Sequence, residues 1–87
     1  MLTEDLIATH IRQNPHHPGP GYVITREGNI SVWVLVEGYR ASGNNADEVA
    51  LEWDISRESV DAALAYYAEH TAAVDARIED QRAGFGG

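Results

Sequence analysis

The sequence has no cysteine, so disulfides and thiolate metal sites are excluded from the outset. It also has no lysine: all six basic residues are arginine, which reads as a bias of the source genome and rules out Schiff-base chemistry. Long apolar runs are missing as well. The longest candidate, Ile30–Val36, has seven residues, against the roughly 18 of a membrane span, and the N-terminal stretch MLTEDLIATH carries acids where a signal peptide needs positive charge. These absences predict a soluble cytoplasmic protein without a membrane partner.

Acid is abundant. Fourteen Asp and Glu against six Arg give a net charge of −8 over 87 residues. Residues 1–40 hold four acids and three arginines, net −1, whereas residues 41–87 hold ten acids and three arginines, net −7. The second half repels phosphate and attracts a basic partner. A chain of this length is expected to form one small domain that buries only about 60% of its unfolded surface, so a homodimer is the expected way to gain buried area.

Thr3 is placed to cap a first helix carrying Leu6, Ile7, His10 and Ile11, which Pro15 should stop near Asn14. Asn14–Gly21 has three prolines and two glycines in eight residues and reads as a loop. Tyr22–Thr25 has strand content, Arg26–Asn29 reads as a turn with Gly28 at positive φ, and Ile30 begins a return strand. Over Val32–Val36 alternation favours a strand, whereas Val32, Leu35, Val36 and Tyr39 share a helical face. A short strand at Ile30–Ser31 followed by a helix to about Ala41, closed by Gly43, is the preferred reading. Asn45 and Glu48 have the spacing of a capping box opening a helix over Ala46–Trp53, which would bury Val49, Ala50 and Trp53. After the turn Asp54–Ser56, Ser56 caps a final helix. Val60, Leu64, Tyr67, Thr71, Val74 and Ile78 recur there in steps of three and four, with no Gly or Pro before Gly84, so one long helix is predicted.

The fold expected is mainly α with a small β-hairpin: a trihelical helix-turn-helix-like core and a long C-terminal helix. Residues 1–21 form the N-terminal helix and loop, 22–83 the core, and 84–87 a tail.

In a helix-turn-helix the start of the second helix faces base edges, here Ser56, Arg57 and Ser59, with Asp61 beyond. Arg57 has the donors to read guanine and Ser59 those to hold a phosphate. Yet Asp47–Asp61 contains acids 47, 48, 52, 54, 58 and 61 against Arg57, net −5, and phosphate contacts supply much of such affinity. DNA contact is therefore expected only within a complex whose partner neutralises the acids. Candidate partner-binding residues are Tyr66, Tyr67, His70 and Trp53, with Tyr66, off the main apolar stripe, the preferred anchor and core burial favoured for Tyr67 and Trp53.

No catalytic, cofactor or metal residue is predicted. His10, His16 and His17 lack a carboxylate at ligating spacing, and the glycines match no phosphate loop. Glu52, Asp54 and Glu58 read as a solvated rim, not a nuclease cluster.

Several segments resemble the bacterial domain of unknown function family 433: Ile30-Ser31-Val32-Trp33, then Gly43 with Asp47-Glu48-Val49-Ala50, then Ala62-Ala63-Leu64-Ala65-Tyr66-Tyr67, His70 and Asp75-Ala76-Arg77-Ile78. The likeness spans about Tyr22 to Ile78. It implies a compact helical domain, often dimeric, frequently encoded beside a PIN-like ribonuclease and acting as its antitoxin, with no catalytic residue. Where the family has Gly-Thr-Arg before Ile-Pro-Val, this chain has Glu27-Gly28-Asn29 before Ile30-Ser31-Val32, so any role of that arginine does not carry over. The leading expectation is an antitoxin-like protein that binds and neutralises a PIN-like ribonuclease. A transcriptional regulator binding DNA directly and a non-enzymatic adaptor are the alternatives.

Overall fold

The computed structural model describes residues 3–86. Five helices and two short strands follow in the order α1 Thr3–His10, β1 Ile11–Arg12, β2 Ile24–Thr25, α2 Val32–Ala41, α3 Ala46–Trp53, α4 Arg57–Glu69 and α5 Thr71–Gly86. The mainly helical class with a small antiparallel β-element matches the sequence reading. So does the helical assignment of Val32–Val36, whose Val32, Leu35 and Val36 are buried.

The helix ends follow the local chemistry. Asn45 Oδ1 accepts the Glu48 N–H at 3.1 Å, opening α3, while the Ser42 hydroxyl accepts the Asn45 N–H at 3.1 Å. Helix α2 closes through paired bonds from Gly43 N to Arg40 O and from Asn44 N to Tyr39 O, with Gly43 at φ 74°. Helix α3 closes in the same way through Asp54 N to Leu51 O and Ile55 N to Ala50 O, but here the left-handed residue is Asp54, at φ 54°.

Several expectations need correction. Thr3, read as a cap, is the first described residue of α1, and α1 stops at His10 instead of near Asn14. Ile11–Arg12 leaves the helix to pair antiparallel with β2, Ile11 opposite Thr25, and Arg26 N extends the pairing to His10 O at 2.8 Å. The expected turn at 26–29 is present, with Gly28 at φ 78°, Thr25 N bonded to Ile30 O and an Ile24–Ser31 bridge; β2 therefore has neighbours on both edges. Ile11 is thereby buried in the core, with Arg12 half-buried beside it.

The predicted long C-terminal helix is two helices. His70, at φ −130° and ψ 39°, ends α4, and the Thr71 hydroxyl donates to Tyr67 O at 2.8 Å, taking a carbonyl that a continuing helix would use. The bend returns α5 to the core, where Val74 and Ile78 are buried, and seats α5 against α2. Helix α5 reaches Gly86, into the stretch read as tail; Gly87 lies outside the described residues.

The core is built around α4, which packs against α1, α2, α3 and α5. Its Val60, Ala62, Ala63 and Tyr66 are buried with Leu35, Val36 and Val49. Small Ala62 and Ala63 let neighbouring helices approach a helix covered on more than one side. Leu64 and Tyr67, on the predicted stripe, are only partly buried. Outside the core, Arg77 of α5 stacks over Tyr22 at 4.7 Å and lies 5.9 Å from the Trp33 ring, joining α5 to the loop before β2 and to α2.

Candidate functional site

The α3–turn–α4 unit has helix-turn-helix form, and its three DNA-facing candidates lie together at the start of α4. Ser56 is the N-cap of α4, its side chain accepting the Ser59 N–H at 3.2 Å. Each of the three is already occupied by a carboxylate of this chain.

Glu27 covers the two serines. Its Oε1 accepts the Ser56 N–H at 2.9 Å, the Ser56 hydroxyl at 2.9 Å and the Ser59 hydroxyl at 2.8 Å. The turn puts it there. The Thr25 hydroxyl, fully buried, donates to Glu27 O and accepts the Ile30 N–H at 3.0 Å. Gly28 lies so near Ile30 and Ile55 that a Cβ would meet their side chains at 3.2 and 3.3 Å. The turn is thus pressed onto the α3–α4 junction, and Glu27 caps α4 from 29 residues away. The Ser56 N–H, then the hydroxyls of Ser59 and Ser56, hold the Glu27 carboxyl below its ordinary pKa.

Arg57 is held by two acids. Its Nε donates to Asp61 Oδ1 at 2.8 Å within α4, and its Nη1 to Asp47 Oδ1 at 2.7 Å on α3. Both bonds, Asp61 first, raise the guanidinium pKa further above its already high value. The donors of Ser56, Arg57 and Ser59 are thus engaged by carboxylates of the chain itself.

The partner-binding candidates separate. Tyr66, read as the best interface anchor, is only 7% exposed, and its hydroxyl donates to Pro20 O at 2.7 Å. It is a core residue tying α4 to the Pro/Gly loop, and burial raises its pKa. Trp53, read as core, is 40% exposed: it ends α3 beyond the part of the helix that Val49 and Ala50 seat in the core. Tyr67 is partly buried. Its hydroxyl donates to Asp75 Oδ1 at 2.8 Å and takes a bond from Arg40, which also pairs with Asp75 at 3.2 Å, tying α2, α4 and α5 together. Burial, then Asp75, raise its pKa. His70 is exposed, its ring stacked on Tyr66 at 4.3 Å between centroids.

Residue spacing missed Glu27, the group that organises this site, because its partners lie far along the chain. It also missed Leu51, which is 83% exposed on the outer face of α3, near Asp47 and Glu48 in helical register. Glu52, Asp54 and Glu58 are all exposed, as a solvated rim would be. Among the described residues no three His, Cys, Asp or Glu side chains converge in the manner of metal ligands, and no helix is long and apolar enough to cross a membrane.

Comparison with curated proteins and with solved structures finds no match. A family model does match, over residues 19–67, from the Pro/Gly loop through β2, α2 and α3 into α4. That span contains Glu27, Asp47, Ser56, Arg57, Ser59 and Asp61, and with it covers more than half of the chain: the protein belongs to the family described as protein of unknown function DUF433.

Proposed function

We propose that this protein is a non-enzymatic, partner-binding module: an antitoxin-like, cytoplasmic homodimer that binds and neutralises a PIN-like ribonuclease. The observation that carries the partner-binding reading is the occupation of Ser56, Arg57 and Ser59 by Glu27, Asp47 and Asp61. A DNA phosphate must displace those carboxylates and then face their uncompensated charge. A basic protein surface needs no displacement. Glu48, Glu52, Asp54 and Glu58 are exposed without an ion pair among the described residues, and exposed Leu51 adds an apolar contact in their midst. Complementary charge of this kind speeds encounter and suppresses wrong partners. The ribonuclease as partner rests on the family likeness set out above.

Capture of the tagged protein from its host, with neighbouring genes expressed, should recover a small ribonuclease-like protein in stoichiometric amount, and their association should slow as salt rises. Recovery of the protein alone would refute the antitoxin reading. Direct DNA recognition is the second reading, favoured by the α3–turn–α4 form. Under it Arg57→Ala abolishes sequence preference, and unchanged binding by that variant removes Arg57 from the account.

A further inference from the structure

One cleft runs against the acidic trend of the molecule. It measures about 230 Å³ and lies between β1, the loop after it, the 26–29 turn and the start of α2; its polar lining residues are Arg12, Asn14, His16, Asn29 and Ser31. In a chain of net charge −8, no carboxylate lines it. Arg12 makes no ion pair among the described residues.

The amide oxygens of this lining are already engaged. Asn29 Oδ1 accepts from Arg12 Nη2 at 2.8 Å, and Asn14 Oδ1 accepts the N–H groups of His16 at 2.9 Å and His17 at 3.3 Å. Each amide therefore has its NH2 end left to offer, and the Arg12 guanidinium has further N–H groups. Ser31 is the N-cap of α2, yet its hydroxyl makes no capping bond. The positive end of the α2 dipole adds to the same field.

We propose that this cleft binds the phosphate group of a small phosphorylated molecule. Donor-bearing residues line it from a strand, a loop, a turn and a helix start, an arrangement suited to an oxyanion with several acceptor oxygens. The ligand is small because the charge of the whole chain opposes a polyanion such as DNA. The inference stands independently of the ribonuclease partner, since none of these residues belongs to the α3–α4 surface.

The test is an amide NMR titration of the full chain at constant ionic strength, with inorganic phosphate, glycerol phosphate, acetate and a short DNA duplex as separate probes. Saturable shifts confined to residues 12–16 and 29–33, for both phosphate probes and more weakly for acetate, are expected. Arg12→Gln should weaken phosphate binding by roughly tenfold or more, as loss of a charge-assisted bond implies. Ser31→Ala, which removes only an uncommitted hydroxyl and so keeps the fold, should weaken it by about threefold. Shifts that fail to saturate, acetate binding as tightly as phosphate, or affinity unchanged in a folded variant would overturn the proposal. Tighter binding of the duplex at these residues would overturn the small-ligand assignment.

Discussion

Two exposed acidic residues stand at positions the fold depends on, one through its backbone and one through its carboxylate. Asp54 holds the left-handed position that ends α3, at φ 54°. An L-residue there carries strain that glycine does not. Asp54→Gly should therefore stabilise the fold by about 0.5–1 kcal/mol in urea unfolding, and a lowered midpoint would contradict the strain argument. Glu27 acts through its charge. Because its folded pKa is depressed, it favours the folded state above the ordinary glutamate pKa of about 4.3, and that contribution is lost as pH falls through the folded value. Glu27→Gln keeps the shape and removes the titration. Its stability should decline less steeply than that of the wild type as pH falls through and below the ordinary glutamate pKa, and parallel curves would show that the Ser56 and Ser59 bonds add nothing at neutral pH. Asn45, Gly43 and Ser56 were legible as helix ends because their partners lie within four residues. Glu27 was not, because its bonds to Ser56 and Ser59 span 29 and 32 residues.

Helices and loops show the same division between near and far. Helices α2 and α3 followed from local signals, since capping and periodicity act within one or two turns. The break at His70 did not. The apolar stripe runs through it unbroken, and the features that mark the break, the His70 backbone and the Thr71 hydroxyl bonded to Tyr67 O, do not register in periodicity. The β1 strand was likewise hidden, because Ile11 continues a helical period and its partner Thr25 lies beyond the Pro/Gly loop. That loop is fastened to α4 and α5 by contacts that can be tested. A Cβ on Gly21 would meet Ala73 O at 2.9 Å, a backbone atom that cannot swing aside. Gly21→Ala should cost about 1–3 kcal/mol by thermal or urea unfolding, and a neutral result would mean that the loop is not seated against α5. Tyr66→Phe, which removes only the bond to Pro20 O, should cost about 1 kcal/mol, whereas the exposed Leu51→Ser should stay within about 0.5 kcal/mol. Equal effects would contradict the assignment of Tyr66 to the core and Leu51 to the surface.

For the molecule as a whole, the proposed choice of partner rests on charge rather than on shape. The helix-turn-helix form was legible from spacing, and so was the excess of acid over it. What composition did not reveal is where the acids go. Glu27, Asp47 and Asp61 bond Ser56, Ser59 and Arg57, the candidate DNA-contacting residues, so the start of α4 presents carboxylates. Fluorescence anisotropy of the purified protein with random-sequence and host-promoter duplexes, at physiological salt, tests this most directly. The account predicts no saturable binding below about 100 µM, at or beyond the weak end of ordinary non-specific affinity. Saturable binding below about 1 µM that Arg57→Ala abolishes would contradict it, since Asp47 and Asp61 would then have released Arg57 to the DNA.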